Sequence, residues 1–110
     1  MFHGGTCVLP RVALTTNAWD RLRGLLGRPR LQPGEGLLID PCPSVHTIGM
    51  HYPLDLVFLD PEFRLLKQVE SLQPLRWAGC HGARATLELA PGSLNALALT
   101  PGDRLEWRPA

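Results

Sequence analysis

Alternating hydrophobic and polar residues predict that most of this chain forms short β-strands. In residues 85–89, Thr86 and Glu88 alternate with three apolar residues, which predicts a strand with one wet face and one buried face. Residues 104–108 alternate in the same way. A period of two residues is typical of strands that cover a core on one side only.

Residues 54–59 are apolar on both faces except at Asp55, and this pattern indicates a central strand. Residues 64–72 follow after an Asp60-Pro61 turn, so the two segments are predicted to form a hairpin. Further strands are predicted over residues 36–40 and over residues 6–14, the second weakened by Pro10.

Three Pro-Gly pairs mark tight turns, in residues 32–35, 90–93 and 100–103. Proline fixes φ near −65° at the second position of a turn, and glycine accepts the positive φ at the third position of a type II turn. Turns at this frequency leave room mainly for short strands.

One helix is predicted over residues 17–27. Asn17 can cap it, an apolar stripe follows at helical spacing, and Gly27 with Pro29 ends it. A shorter helical turn is predicted over residues 93–97. About six strands with one helix and no βαβ alternation indicate a mostly β fold, a small β-sandwich or partly open barrel with one short α-helix near the N-terminus.

Composition narrows the function classes. The 110 residues suit one domain spanning 1–110, and 45% apolar content suffices for one core. A net charge of +1 gives no reason to expect nucleic acid or an acidic membrane as partner, and no apolar run reaches the roughly 20 residues of a membrane span. Three cysteines and no visible secretory signal indicate free thiols in the cytoplasm. No cofactor is predicted.

The chain resembles the domain-of-unknown-function 192 family. The matching segments, in order, are Thr16 with Arg21-Leu22-Arg23-Gly24-Leu25-Leu26-Gly27-Arg28, Gly36-Leu37-Leu38-Ile39, Pro53-Leu54-Asp55-Leu56-Val57-Phe58-Leu59-Asp60, Ala85-Thr86-Leu87-Glu88-Leu89-Ala90-Pro91-Gly92 and Pro101-Gly102-Asp103. The resemblance implies a compact β-sandwich-like fold and no established activity. Many members carry Phe-Trp-Met-Lys-Asn-Thr before Pro-Leu-Asp, whereas this chain has Val45-His46-Thr47-Ile48-Gly49-Met50.

Asp55 is the most informative single residue. On a strand its carboxylate shares a face with Val57 and Leu59, and burying a charge among apolar side chains is costly unless the charge is paired. The partners available by sequence are Arg21, Arg28 and His46. Asp55 is therefore either part of a structural ion pair or part of a polar pocket.

The leading functional hypothesis is a non-catalytic module that binds a small molecule or a protein segment in a polar notch. The notch is predicted to consist of Arg21, Arg28, His46, Met50 and Asp55. His46 is the best general-base candidate because imidazole titrates near neutral pH, although a lone histidine beside apolar residues is often a core residue. No complete catalytic set and no compact metal-ligand spacing are visible.

Three alternatives remain open. A copper or zinc site, or a small enzyme, could use His46 with Cys42 or His81, although residues four apart on a strand lie about 13 Å apart. Arginines around the predicted helix could bind a phosphate or carboxylate. An open sheet edge could also bind a partner strand. The further soft or borderline ligands in the chain are Met50, His51 and Cys80.

Overall fold

The computed structural model describes residues 1–15, 31–42, 44–46, 52–73 and 76–108. Within these ranges the chain forms ten strands and one short helix, α1, which spans Ser93–Leu97. The strands are β1 Phe2–His3, β2 Thr6–Cys7, β3 Arg11–Thr15, β4 Glu35–Ile39, β5 Ser44–His46, β6 Leu54–Leu59, β7 Leu65–Leu72, β8 Trp77–Gly79, β9 Ala85–Leu89 and β10 Leu105–Glu106.

A five-stranded sheet forms the centre of the fold, in the order β3-β4-β9-β6-β7. Its strands are antiparallel except for the parallel pair β3–β4. Two smaller antiparallel units accompany it, β10-β1-β2 and a two-stranded ribbon of β5 and β8. The mostly β prediction is confirmed, and the sheets do not close into a barrel.

The predicted turns are found where the Pro-Gly pairs stand. Gly34, Gly92 and Gly102 have φ values of 86°, 87° and 93°, the left-handed backbone that a type II turn requires. Each turn is closed by a hydrogen bond between its first and fourth residues, such as Ser93 N to Ala90 O at 3.1 Å. The hairpin of β6 and β7 across the Asp60-Pro61 turn is also confirmed.

The helix predictions have two outcomes. The helical turn over residues 93–97 is confirmed as α1. The helix predicted over residues 17–27 lies outside the described residues. The strand predicted over residues 6–14 is instead two strands, β2 and β3, interrupted around Pro10 because proline has no N–H for a ladder.

The central sheet has apolar side chains on both faces. One face packs on α1, β10 and the N-terminal residues, and the other packs on the ribbon. The first cluster includes Leu38, Val57, Leu59, Leu87, Leu89, Leu94 and Leu105. The second includes Ile39, Cys42, Tyr52, Leu54, Leu56, Phe58 and Ala78.

The prediction of a wet face on residues 85–89 is wrong. Thr86 and Glu88 are both fully buried. The reason is that β9 lies between β4 and β6, and both faces of the sheet are covered there.

Among the described residues, no helix is long and apolar enough to cross a membrane.

Candidate functional site

Asp55 lies at the start of β6 with 1% of its surface exposed. Its Oδ1 accepts a hydrogen bond from the backbone N–H of Ser71 at 2.8 Å, and its Oδ2 accepts one from the backbone N–H of Leu94 at 3.0 Å. One buried carboxylate therefore connects three elements of the fold, β6, β7 and α1. Hydrogen bonds to an ionised acceptor are among the stronger ones in proteins.

The bond to Ser71 is explained by an irregularity in the β6–β7 ladder. Leu54 pairs with Leu72 and Leu56 pairs with Val69, so two residues of β7 lie opposite Asp55. This arrangement is a β-bulge, which leaves one residue outside the regular pairing. Ser71 is that strained residue, with φ of 50°, and the Asp55 carboxylate accepts its N–H.

The bond to Leu94 is explained by the start of α1. The first N–H groups of a helix lack partners within the helix and are usually satisfied by a capping side chain. Gly92 is at the N-cap and has no side chain for this purpose, and the first turn contains no acidic residue. Asp55, in strand β6, supplies the acceptor for the Leu94 N–H.

The predicted partners of Asp55 can be placed only in part. Arg21, Arg28 and Met50 lie outside the described residues. The structure gives the backbone of His46 in β5, so an ion pair between Asp55 and any of these groups stays a prediction. What the structure shows at Asp55 is a carboxylate held by two backbone amides.

Asp55 and the strand of His46 lie on opposite sides of the central sheet. The carboxylate points to the face that carries Leu94, together with Val57. Ala78, from the strand paired with β5, packs in the cluster on the other face. The described residues therefore do not unite Asp55 and β5 in one notch.

The ribbon places His46 opposite Trp77 in the β5–β8 register. Trp77 is 69% exposed, which is unusual for so large an apolar side chain. A Cβ built on Gly79 would lie 2.9 Å from the Cζ2 atom of Trp77, so the indole ring lies directly over the Gly79 backbone. An exposed aromatic face next to His46 is the most distinctive surface of the ribbon.

The sequence-based reasoning missed both Trp77 and β8. Residues 77–80 show no alternation of apolar and polar side chains that would have indicated a strand. The segment is also only three residues long. Its strand character depends on pairing with β5, which is remote in sequence.

Glu88 was also missed, because the alternating pattern predicted that its side chain would face water. It lies in register with Leu37 on one side and Leu56 on the other, on the face toward the ribbon. Thr86 is on the same face and its Oγ1 donates to the carbonyl oxygen of Cys42 at 2.7 Å. Two polar side chains thus lie beneath the ribbon.

The cysteines are free thiols. Cys42 is buried and its Sγ donates to the Ser44 carbonyl oxygen at 2.9 Å, whereas Cys80 is half-buried and His81 is exposed. In the part of the chain that the structure describes, no group of three or more His, Cys, Asp or Glu side chains is placed to hold a metal ion. The contribution of the His46 side chain to such a site stays a prediction.

An open cleft of about 440 Å³ lies away from these residues, between the Gly4-Gly5 turn and β10. At its rim Arg108 lies over the Phe2 ring, 4.7 Å from the centroid, and forms two hydrogen bonds with Glu106. The Arg108 guanidinium lowers the pKa of the Glu106 carboxyl. The cleft is lined by Phe2, Gly4, Gly5, Arg104, Leu105 and Glu106.

Comparison with known proteins assigns the chain to a family. Residues 3–107 match the model of DUF192, described as "Uncharacterized ACR". Because the match covers nearly the whole chain, the protein belongs to the DUF192 family. No curated protein matches it significantly.

Two solved structures resemble the chain closely. One is a protein of unknown function from Novosphingobium aromaticivorans DSM 12444, with a TM-score of 0.76 and 24% identity, covering 87% of this chain and 74% of the other. The second is a "putative transcription regulator" from Sinorhizobium meliloti 1021, with a TM-score of 0.75 and 27% identity, covering 86% and 79% of the two chains. These similarities are similarities of fold.

Proposed function

We propose that this protein is a non-catalytic binding module that contacts its ligand through the β5–β8 ribbon. The observation that carries the proposal is the exposed Trp77 ring, held over Gly79 and paired in register with His46. In this proposal the protein acts in the cytoplasm and binds a small planar molecule or an extended protein segment.

The position of the indole ring over the Gly79 backbone supports this function. A tryptophan ring offers a large contact area with few rotatable bonds, so little conformational entropy is lost when a ligand covers it. Gly79 removes the Cβ that would otherwise lift the ring from the ribbon. In the proposal, the contact with the Gly79 backbone limits the positions of the ring before the ligand arrives, which reduces the entropic cost of binding.

The predicted notch residues take separate roles in the proposal. His46 contributes a hydrogen-bonding group beside the Trp77 platform, and Arg21, Arg28 and Met50 are proposed to complete the notch around a polar ligand. Asp55 is proposed to act indirectly. Its bond to the Ser71 N–H fixes the end of β7, the strand that precedes the ribbon strand β8.

Nucleic acid is the less favoured ligand, although the name of the Sinorhizobium relative suggests regulation of transcription. Binding to DNA is driven largely by contacts between basic side chains and phosphates. The net charge of this chain is only +1. A ligand recognised by stacking agrees better with the exposed Trp77.

The test is a thermal-shift screen of the 110-residue protein against planar heteroaromatic compounds, short peptides and labelled duplex DNA. At least one compound or peptide is expected to raise the melting temperature of the wild type but not that of Trp77→Ala or His46→Ala. Leu66→Ala is the matched control, because Leu66 is also an exposed apolar residue, 37% exposed, on a different strand. Equal stabilisation of all four proteins, or binding of DNA alone, would overturn the proposal.

A further inference from the structure

The strands of the ribbon come from two parts of the chain that contain no acidic residue. These parts are residues 41–54 and 71–87, and neither includes an Asp or a Glu, although the chain has 10 acidic residues. The same two parts contain Arg76, Arg84 and three of the four histidines. The ribbon is therefore built from segments that carry only basic charge.

Four acidic residues bound these segments: Asp40, Asp55, Glu70 and Glu88. Asp40 is engaged by the Arg84 guanidinium at 3.0 Å, and Asp55 and Glu88 are buried in the sheet. Glu70 follows Val69, which packs in the cluster on the ribbon side, so strand alternation directs Glu70 to the opposite side. None of the four offers an unengaged carboxylate to the exposed face of the ribbon.

Lys67 adds positive charge to this face from strand β7. It is the only lysine in the chain. It lies two residues before Val69 and therefore on the ribbon side of the sheet, and its Nζ donates to the Gly79 carbonyl oxygen at 3.0 Å. Among the described residues the exposed ammonium makes this one hydrogen bond, which leaves two of its three N–H donors for a ligand.

Lys67 and Trp77 meet at the same glycine. The indole ring occupies the space where a Cβ of Gly79 would stand, with Cζ2 at 2.9 Å from that position, and the ammonium binds the carbonyl oxygen of the same residue. Because the contacted positions belong to one residue, the ring and the ammonium are less than roughly 10 Å apart. A stacking surface and a cation at this separation suit a small aromatic ring with an anionic group.

We propose that the ligand of the ribbon is a planar aromatic molecule that carries a carboxylate or a phosphate. The ring stacks on the Trp77 indole, and the anionic group accepts hydrogen bonds from the Lys67 ammonium. Acidic side chains in the ribbon would repel such a ligand, and the two acid-free segments avoid that repulsion. This inference rests on the proposed function of the ribbon and narrows it to one class of ligand.

The test titrates the 110-residue protein with 2-naphthoate and with its uncharged amide, 2-naphthamide. Proton–nitrogen spectra follow the Trp77 indole N–H and the Gly79 amide. The two ligands share one ring system, so the comparison isolates the charge. Naphthoate is expected to bind about fivefold more tightly, as for an exposed ion pair, and the difference should shrink in 1 M salt, where charges are screened. A parallel titration with 2-naphthyl phosphate identifies the phosphate as the preferred group if it binds more tightly than naphthoate.

Variants assign the preference to Lys67. Lys67→Met should lower the affinity for naphthoate to that for the amide and leave the affinity for the amide unchanged. Arg11→Met is the matched control, because it removes one exposed positive charge from β3, at the opposite edge of the central sheet. It should retain the preference for naphthoate. Trp77→Ala should abolish binding of all three ligands.

The outcomes separate this inference from the proposed function. Equal affinity for all three ligands, each shifting the Trp77 resonance, would overturn the inference and leave the proposed function in place. A preference for naphthoate that persists in Lys67→Met, or that is lost equally in Arg11→Met, would also overturn it. If no ligand shifts the Trp77 resonance, the inference fails together with the planar-ligand form of the proposed function.

Discussion

The carboxylate of Asp55 accepts the backbone N–H of Leu94 at 3.0 Å, so a residue of β6 caps a helix that begins far later in the chain. The same carboxylate accepts the N–H of Ser71 in the β7 bulge. An aspartate that precedes a run of apolar strand residues thus stabilises two irregular backbone positions. Its burial among apolar side chains is compensated by these bonds.

Replacing Asp55 is expected to destabilise the fold more than replacing a comparable exposed aspartate. Asp55→Ala leaves the buried Leu94 N–H without its acceptor, and the expected loss is about 2–4 kcal/mol of unfolding free energy, measured by urea denaturation. Asp55→Asn keeps one carbonyl oxygen and should lose less.

Asp60→Asn provides the control for this prediction. Its Oδ1 also accepts two backbone N–H groups, from Glu62 at 2.8 Å and Arg64 at 2.9 Å, but in an exposed turn where water can replace it. The expected loss is below about 1 kcal/mol. Similar losses for the buried and the exposed aspartate would contradict the role assigned to Asp55.

Gly79→Ala is expected to displace the Trp77 ring without unfolding the protein. The added methyl group would lie 2.9 Å from Cζ2 of Trp77, and the exposed side chain can move away into solvent. The indole N–H resonance of Trp77 in a proton–nitrogen spectrum should shift. An unchanged Trp77 resonance would show that the ring does not occupy the position over Gly79.

Gly36→Ala makes a matched comparison, because there the neighbours are buried. The new methyl group would meet the Leu89 side chain at 3.1 Å and the Leu87 side chain at 3.2 Å. Overpacking of this kind in a core costs about 1–3 kcal/mol, which thermal and urea unfolding would measure. Stability equal to that of Gly79→Ala would contradict the packing described for β4 and β9.

Thr86→Val is expected to lower stability although valine has nearly the same shape. The substitution removes the hydroxyl that donates to the Cys42 carbonyl oxygen at 2.7 Å in a buried site. Loss of such a bond costs about 1–2 kcal/mol. Thr86→Ser keeps the hydroxyl, so protection of the amides around Cys42 from hydrogen exchange should persist in Thr86→Ser and fall in Thr86→Val.

The α-amino group of Met1 predicts a pH dependence. Burial lowers its pKa below the value of about 8 for a free amino group, and its N–H donates to the Leu9 carbonyl oxygen at 3.0 Å. Between the lowered pKa and about pH 8 the unfolded chain binds more protons, so stability should rise with pH through this window. Titration by NMR of the folded chain and of the chain in urea checks it, and an equal or higher pKa in the folded chain would contradict it.

Local chemistry made much of the fold predictable. The Pro-Gly turns, the β6–β7 hairpin and α1 depend on residues close together in sequence, and all are found. Strand β8 was not predicted, and residues 85–89 were wrongly given a wet face. Both depend on long-range pairing, since β8 needs β5 and the burial of Glu88 needs β4 and β6 on either side.

The candidate site was predictable only as a set of unusual residues. The cost of burying Asp55 identified it correctly as a residue that needs partners. The sequence could not show that backbone amides of a bulge and a helix would serve, because both arise from the tertiary fold. Trp77 became notable only once its exposure and its position over Gly79 were known.

The segment that contains β8 leaves the central sheet after Leu72 and returns at Arg84. The Arg84 N–H donates to the Leu59 carbonyl oxygen at 2.8 Å. The first point follows the β7 bulge, and the second directly precedes β9. Between them, Ala78 packs in the core on the ribbon side of the sheet, whereas Trp77 beside it is exposed. Alternate positions of one short strand therefore carry separate constraints, since those that cover the sheet maintain the fold and those that face away are free to diverge in specificity.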